Sequence, residues 1–96
     1  MPVSFDNIPE TYEAAVATLV NGLDDAEREY IRSSDPISSH FGLGRNLRNG
    51  WNLWGTVPGK STKLREDMIA KFGSSHADDM SGMILDAVWA TVKSEH

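Results

Sequence analysis

Hydrophobic side chains recur at helical spacing along most of this 96-residue chain. Pro9, with Glu10 beside it, is typical of a first helical turn, and Gly22 is typical of a helix end. The pattern therefore predicts a first helix from about Pro9 to Gly22, with one apolar face. That face consists of Tyr12, Val16, Leu19, Val20 and Leu23.

A short second helix is predicted directly after the first. Asp24 and Glu27 have the spacing of a capping box, in which each side chain accepts a hydrogen bond from the backbone amide of the other residue. The helix is expected to continue to about Arg32, before a turn at Ser33 to Pro36. Its inward residues are predicted to be Ala26, Tyr30 and Ile31.

The stretch from His40 to Trp54, HFGLGRNLRNGWNLW, predicts a third helix that begins at Pro36 or a nearby serine. Gly50 is expected at the C′ position beyond its end, and Trp54 is expected to fold back onto the body. At 100° per residue the stretch separates into two sides, with Arg48 at the boundary. The apolar side consists of His40, Leu43, Gly44, Leu47 and Trp51, and the outer side of Arg45, Asn46 and Asn49.

Gly44 lies on the apolar side of this predicted helix, where glycine costs about 1 kcal/mol relative to alanine. Tertiary contacts have to offset that cost. A glycine in this place indicates the close approach of another backbone or of a ring.

Two further helices complete the pattern. The fourth is predicted from Thr62 to Phe72 and ends at Gly73, and its inward residues are Leu64, Met68, Ile69 and Phe72. The fifth is predicted from about Asp79 to Lys93, after a capping box from Ser75 to Asp78. Its apolar arc is wide and consists of Met80, Met83, Ile84, Leu85, Ala87, Val88, Trp89 and Val92.

A helix with such a wide apolar arc is buried on most sides, which places the fifth helix at the centre. We predict one all-α domain over residues 1–96, a compact bundle of four to five short helices. Residues 1–7 are expected to form an irregular arm, and residues 94–96 a frayed end.

The amino-acid composition limits the cellular compartment and the kinds of chemistry that can be expected. The chain contains no cysteine, which excludes thiolate chemistry and suits a reducing cytoplasm. No apolar run approaches the roughly 18 residues of a membrane span, and no basic and apolar leader begins the sequence. We therefore expect a cytoplasmic protein that does not bind membranes.

Charge is unevenly distributed along the sequence. Residues 36–65 contain five basic residues and no acid, whereas residues 1–35 contain two arginines against eight acids. One interpretation is that the basic middle pairs with the acidic helices of the same domain. The other is that it binds an anionic partner. The overall charge of −5 counts against nucleic acid, which remains a possible but less favoured partner.

Two blocks of the sequence resemble a small bacterial and phage family of unknown function, domain of unknown function 6794. The first block consists of HFGLG from His40 to Gly44, then Arg48-Asn49, then Leu53-Trp54. The second is HADDMSGMI from His76 to Ile84, in which Ala77 stands where proline is expected. The resemblance implies a compact helical domain and implies no particular chemistry.

The segment from Gly55 to Thr62, GTVPGKST, imitates a phosphate-binding P-loop but fails its spacing. Only three residues separate Gly55 from Gly59, where four are required, and no strand precedes the loop. We therefore expect no nucleotide hydrolysis. Lys60 and the nearby backbone amides remain candidates for opportunistic anion binding.

A second candidate site consists of His40, His76, Asp78 and Asp79. Histidine and carboxylates can ligate zinc or transfer protons, but the sequence contains neither HxxxH nor HExxH spacing. The structural alternative is a hydrogen-bonded His40 and an acidic helix N-terminus. We expect no metal, no cofactor and no catalytic residue. The runner-up is a small enzyme or ligand-binding domain with a pocket around His40, Arg48 and the block from His76 to Asp79.

The preferred hypothesis is a non-enzymatic protein that binds another protein stoichiometrically, as an inhibitor or regulator from a phage or mobile element does. Arginine, asparagine and tryptophan suit a protein hot spot or contacts to nucleic acid. An alternative role for Arg48 and Asn49 is to satisfy buried carbonyls or pair with Asp78 or Asp79. The candidate binding surface consists of Arg45, Asn46, Arg48, Asn49, Trp54 and Lys60.

Overall fold

The computed structural model describes residues 7–35 and 42–95 of the chain. These residues form five α-helices, and none of them lies in a strand. The helices are α1 (Tyr12–Asn21), α2 (Asp25–Arg32), α3 (Leu43–Gly50), α4 (Lys63–Phe72) and α5 (Ala77–Ser94). The predicted all-α bundle is confirmed.

The longest helix, α5, lies at the centre and contacts α1, α2 and α3. Its predicted wide apolar arc is confirmed, with Met83 and Ala87 half-buried at the margins. Each fully buried aliphatic or aromatic side chain contributes about 1.5–3 kcal/mol relative to exposure, so this helix organises the core. Its buried residues are Ala77, Met80, Ser81, Ile84, Leu85, Val88, Trp89 and Val92.

The first helix begins later than Pro9. Thr11 adopts an extended backbone, and its hydroxyl accepts a hydrogen bond from the amide of Ala14 at 3.1 Å. A threonine in this conformation is an N-cap, which makes Tyr12 the first helical residue. The prediction that Pro9 occupies the first turn is therefore wrong.

The capping box of α2 is confirmed, but its inward face is narrower than predicted. The Asp24 carboxylate accepts from the Glu27 amide at 2.8 Å, and the Glu27 carboxylate accepts from the Asp24 amide at 3.1 Å. Ile31 is buried, whereas Tyr30 is 53% exposed and Ala26 is exposed. Only one edge of this short helix packs against α5. The prediction that Ala26 and Tyr30 face inward is therefore wrong.

Helix α4 packs against the start of α1 through polar and aromatic contacts. The Asp67 carboxylate accepts from the Tyr12 amide at 2.8 Å, which satisfies a backbone donor that has no partner within α1. Lys71 bridges Asp67, at 2.7 Å, and Glu13. Phe72, predicted inward, is 43% exposed and packs edge-on against Tyr12 at 4.9 Å between ring centroids.

The carboxylates of Asp67 and Glu13 make the stability of the fold depend on pH. The hydrogen bond from Lys71 is the main cause that lowers the pKa of Asp67, and the bond from the Tyr12 amide adds to it. Lys71 also lowers the pKa of Glu13. A carboxyl group whose pKa is lower in the folded state stabilises the fold above its unfolded pKa, and that contribution is lost as the pH falls through the folded pKa.

We predict that the melting temperature falls as the pH is lowered below about 4, the ordinary range of these carboxyls. Asp67→Asn should flatten this acid dependence, because the variant has no carboxylate to protonate there. Asp25→Asn, which changes an exposed acid of α2, is the control and should keep the slope of the parent. Thermal melts followed by circular dichroism between pH 3 and 7 measure the effect. Identical slopes for Asp67→Asn and the parent would show that this pair is unimportant.

Candidate functional site

The third helix, α3, is described from Leu43, with Gly42 as its N-cap. The predicted start at Pro36 or a nearby serine lies outside the described residues. The part of the predicted helix before Gly42, including His40, lies outside the described residues. Gly50 is the last helical residue and Trp51 the C-cap, so the prediction of Gly50 at C′ is wrong.

The C′ residue is Asn52, which has a φ of +52°. The amide of Leu53 donates to the carbonyl of Arg48 at 3.0 Å, closing a Schellman motif. Asparagine tolerates the left-handed conformation better than most residues with a side chain.

The side chain of Asn52 also organises the loop that follows. It is 1% exposed, accepts from the Val57 amide at 3.1 Å and donates to the Lys60 and Ser61 carbonyls, each at 3.4 Å. Sequence reasoning missed this role. The available signal was an asparagine followed by leucine at the end of a helix.

Arg65 of α4 fixes the same loop from its other side. Its guanidinium donates to the Leu53 carbonyl at 2.8 Å and to the Ser75 carbonyl at 3.0 Å. Gly55 has a φ of +71°, and a Cβ added there would lie 2.9 Å from Cδ of Arg65. Arg65 therefore packs against the loop at Gly55 and leaves no space there for a Cβ.

Trp54 does not fold back onto the body, contrary to the prediction. Leu53 is fully buried after the Schellman turn, while its neighbour Trp54 is 47% exposed. The turn places these successive side chains in different environments, and leucine occupies the interior position. Trp51, by contrast, is fully buried on the predicted apolar side.

Gly44 is buried where α3 meets α5. A Cβ added there would lie 3.6 Å from Cδ1 of Leu85, 3.7 Å from Oγ of Ser81 and 3.2 Å from Nη1 of Arg48. The expected close approach is present, but side chains of α5 and of the same helix approach, rather than another backbone or a ring.

Arg48 crosses this contact and binds the first turns of α5. Its Nη1 donates to the Ser81 hydroxyl at 2.9 Å, and its Nε lies 3.1 Å from Oδ1 of Asp78. The Ser81 hydroxyl in turn donates to the Asp78 carbonyl at 3.0 Å. The predicted alternative in which Arg48 pairs with Asp78 is confirmed. We call Gly44, Arg48, Asp78 and Ser81 the α3–α5 junction.

The other residues of the second candidate site lie at the exposed start of α5. His76 is the N-cap without a side-chain capping bond, so the predicted capping box from Ser75 to Asp78 is wrong. The Ser74 hydroxyl instead accepts from the His76 amide at 3.4 Å and donates to Asp79 at 3.0 Å. Asp78 and Asp79 lie in the first helical turn, where the helix dipole favours carboxylates.

These residues do not form an enclosed site in the described part of the chain. His76, Asp78 and Asp79 are exposed, and the two aspartates line a shallow depression of about 430 Å³ on α5. Within residues 7–35 and 42–95, no three histidine or acidic side chains are grouped so that they can hold a metal ion.

The outer side of α3 has the phase predicted from the sequence. Arg45, Asn46 and Asn49 are exposed, while Leu47 on the other side is fully buried. Among the described residues, the side chains of these three outer residues form no hydrogen bond or ion pair.

The cations of the basic segment, residues 36–65, fall into two groups. Some bind groups of the same domain, and others have no partner in the described chain. Arg48 and Arg65 bind groups of the same domain, and Lys63 pairs with Glu10 at 3.3 Å. Arg45 and Lys60 are exposed, and neither side chain has a partner in the described part of the chain. Pairing within the domain therefore accounts for only part of the basic middle.

The chain matches a known protein family. The model of a domain of unknown function, DUF6794, matches residues 8–92, which include α1 to α4 and most of α5. The chain belongs to DUF6794. No curated protein and no solved structure matches it.

The two blocks on which the resemblance to DUF6794 rests meet at the α3–α5 junction. Gly44 and Arg48 come from the first block, and Asp78 and Ser81 come from the second. Their mutual contacts give these residues a role in holding α3 on α5. Asn49 and Trp54 of the first block are exposed and have no such role.

No helix in the described part of this DUF6794 chain is long and apolar enough to cross a membrane.

We predict that Gly44→Leu destabilises the fold by about 1–3 kcal/mol, because the added atoms have to enter space held by Leu85 and Ser81. Gly44→Ala is the matched control. Its single methyl group meets the flexible end of Arg48, and alanine favours the helix, so stability should stay within about 1 kcal/mol of the parent. Urea unfolding measures both variants. Equal stability of Gly44→Leu and the parent would contradict close packing at this position.

Proposed function

We propose that this member of DUF6794 is a non-enzymatic protein that binds another protein stoichiometrically. The binding surface is the exposed side of α3 together with the loop that follows it, which we call the outer α3 surface. It consists of Arg45, Asn46, Asn49, Trp54 and Lys60.

The observation that carries this proposal is the set of unpaired polar side chains on an otherwise anchored helix. The side chains of Arg45, Asn46 and Asn49 have no hydrogen-bonding partner in residues 7–35 and 42–95. On the other side of the same helix, Leu47 is fully buried and Arg48 is bound to α5. The outer side chains are therefore not needed for packing and are available to a partner.

An exposed aromatic side chain lies in the loop directly after this helix. Trp54 is 47% exposed, and Val57 of the same loop is 40% exposed. Tryptophan and arginine are the residue types most enriched in interface hot spots. The Asn52 and Arg65 hydrogen bonds hold this loop in one shape, which lowers the entropic cost of binding.

A protein partner is favoured over nucleic acid by the number of cations available. Only Arg45 and Lys60 of the basic segment lack a partner in the described chain. Duplex binding depends on neutralising many phosphates, and a net charge of −5 repels them. Arg48, included in the surface predicted from sequence, is 15% exposed and serves the junction instead.

The proposal extends to an inhibitor or regulator of phage or mobile-element origin that acts in the cytoplasm. The resemblance to a bacterial and phage family and the cysteine-free sequence, which suits a reducing compartment, support this extension. Engagement of Asp78 by Arg48 and of Asp79 by Ser74 leaves a pocket around His76 less favoured.

The test begins with the immobilised chain in lysate of its native host, with captured proteins identified by mass spectrometry. Arg45→Ala with Asn46→Ala should shift stability by less than about 0.5 kcal/mol, as exposed substitutions usually do. Binding of the purified partner should weaken by about 2 kcal/mol or more, as for an interface arginine. Calorimetric titration and thermal melts measure the two quantities.

The matched control is Arg32→Ala with Asn7→Ala, which removes the same residue types from exposed positions elsewhere. This control should bind like the parent. If the Arg45/Asn46 variant binds as tightly as the parent, the proposed surface is wrong. If that variant unfolds, these side chains are structural and the proposal is equally wrong.

A further inference from the structure

The outer α3 surface carries positive charge that no carboxylate of the described chain neutralises. Arg45 and Lys60 are exposed, and their side chains have no partner in residues 7–35 and 42–95. Arg65 lies against the same loop, and its guanidinium donates to the carbonyls of Leu53 and Ser75. A carbonyl is uncharged, so Arg65 keeps its full positive charge. Three cations of this region are therefore uncompensated.

The two other basic residues of the segment from 36 to 65 are paired with acids from outside it. Arg48 binds Asp78, with Nε and Oδ1 3.1 Å apart. Lys63 binds Glu10, with Nζ and Oε1 3.3 Å apart. The segment itself contains no acid. Pairing within the domain therefore removes two of its five positive charges and leaves those of Arg45, Lys60 and Arg65.

This positive charge is confined to one part of an acidic chain. Residues 1–35 and 66–96 contain all 14 acids and only four of the nine basic residues. Glu66, the first acid after the basic segment, accepts from the Thr62 hydroxyl at 3.1 Å and offsets at most one of the three cations. The outer α3 surface therefore attracts an acidic partner, whereas the acidic helices repel it. Such a field also orients the partner as it approaches.

The two exposed cations lie near opposite ends of α3. Arg45 is the third residue of the helix, and Asn52 follows its last turn about 10 Å further along the axis. The Asn52 amide holds the Lys60 carbonyl at 3.4 Å. Carboxylates that bind both cations are thus on the order of 10 Å apart, which an extended chain spans in about three residues. The exposed side chains of Trp54 and Val57 add an apolar contact in the same loop.

We propose that the partner of the outer α3 surface is an acidic segment of another protein. Its carboxylates bind Arg45 and Lys60, and an apolar side chain packs on Trp54. An arginine binds a carboxylate through two parallel hydrogen bonds, and the amides of Asn46 and Asn49 add further donors. This inference rests on the proposed function and adds the chemistry of the partner.

The number of uncompensated cations favours carboxylates over a phosphate chain. Duplex DNA carries about one charge per 1.7 Å, hence about seven along the roughly 12 Å of α3. Three cations cannot neutralise that density, and a long polyanion would continue onto the acidic helices. A short acidic segment with few carboxylates matches the charge that is present.

The test uses the full chain and two short synthetic peptides as probes. The peptides share their leucine and serine residues and differ in having glutamate or glutamine at every fourth position. Backbone amide shifts from nuclear magnetic resonance locate and titrate binding. The glutamate peptide should shift the amides of α3 and of the loop after it. The glutamine peptide should bind about fivefold more weakly or less, because an exposed ion pair contributes up to about fivefold in affinity.

Salt provides a second measurement that needs no variant. Raising its concentration from about 0.01 to about 0.1 M shortens the screening length from about 30 to about 10 Å. The glutamate peptide should bind more weakly at the higher concentration, and the glutamine peptide should be unaffected. Equal salt dependence of the two peptides would contradict an electrostatic contact.

Arg45→Gln with Lys60→Gln removes the two exposed cations without altering the core. This variant should bind the glutamate peptide about fivefold more weakly or less, and most of the salt dependence should be lost. The matched control is Arg32→Gln with Lys93→Gln, which changes the net charge equally at exposed positions of α2 and α5. The control should bind like the parent.

Three results would overturn the inference. The first is no shift at the outer α3 surface at millimolar glutamate peptide, or equal binding of the two peptides. The second is equal weakening by the variant and its control. The third is tighter binding of a single-stranded DNA of the same length at the same residues, which would make the partner a nucleic acid. A captured protein that still depends on Arg45 and Asn46 would then uphold the proposed function with a partner that is not acidic.

Discussion

The contact between α3 and the beginning of α5 is the constraint on which the arrangement of this domain depends. Gly44 lets the two helices approach so closely that Leu85, Ser81 and Arg48 lie within 4 Å of the place where a Cβ would stand. Arg48 then crosses the contact to the Ser81 hydroxyl and to Asp78. Because Asp78 is largely exposed, the ion pair itself contributes only about 0–1 kcal/mol. The hydrogen bond to a buried hydroxyl fixes the geometry.

This constraint separates structural residues from residues that are free to bind. With one side of α3 held on α5, the other side and the loop after it are presented in a fixed orientation. Asn52 and Arg65 continue the same arrangement by tying that loop to its own backbone and to the segment before α5. The two sequence blocks that carry the resemblance noted in the sequence analysis thus contain both kinds of residue, with Arg48 and Leu53 inside and Trp54 outside.

The helices and their faces were predictable because burial follows periodicity. The central position of α5 could be predicted from its wide apolar arc. The exposure of Arg45 and Asn46 could be predicted from their positions around the helix. Helix ends were less predictable, because a cap depends on one backbone conformation. Thr11 rather than Pro9, and Asn52 rather than Gly50, took the capping positions.

The contacts that complete the site depend on tertiary geometry that no spacing rule contains. The pairing of Arg48 with Asp78 was one of several alternatives open from sequence, but its bond to Ser81 joins residues far apart in the chain. The role of Arg65 also required knowing which carbonyls lie beside it. The exposure of Trp54 depended on which of two neighbouring apolar side chains entered the core.

A double-mutant cycle between Arg48→Ala and Ser81→Ala, measured by urea unfolding, tests the central claim most directly. A hydrogen bond to a charged group contributes about 1.5–3 kcal/mol, so the two residues should be coupled by about 1 kcal/mol or more. Ser74→Ala in place of Ser81→Ala is the control and should show no coupling to Arg48, because its hydroxyl binds Asp79. Additive effects of Arg48→Ala and Ser81→Ala, within about 0.3 kcal/mol, would contradict the account.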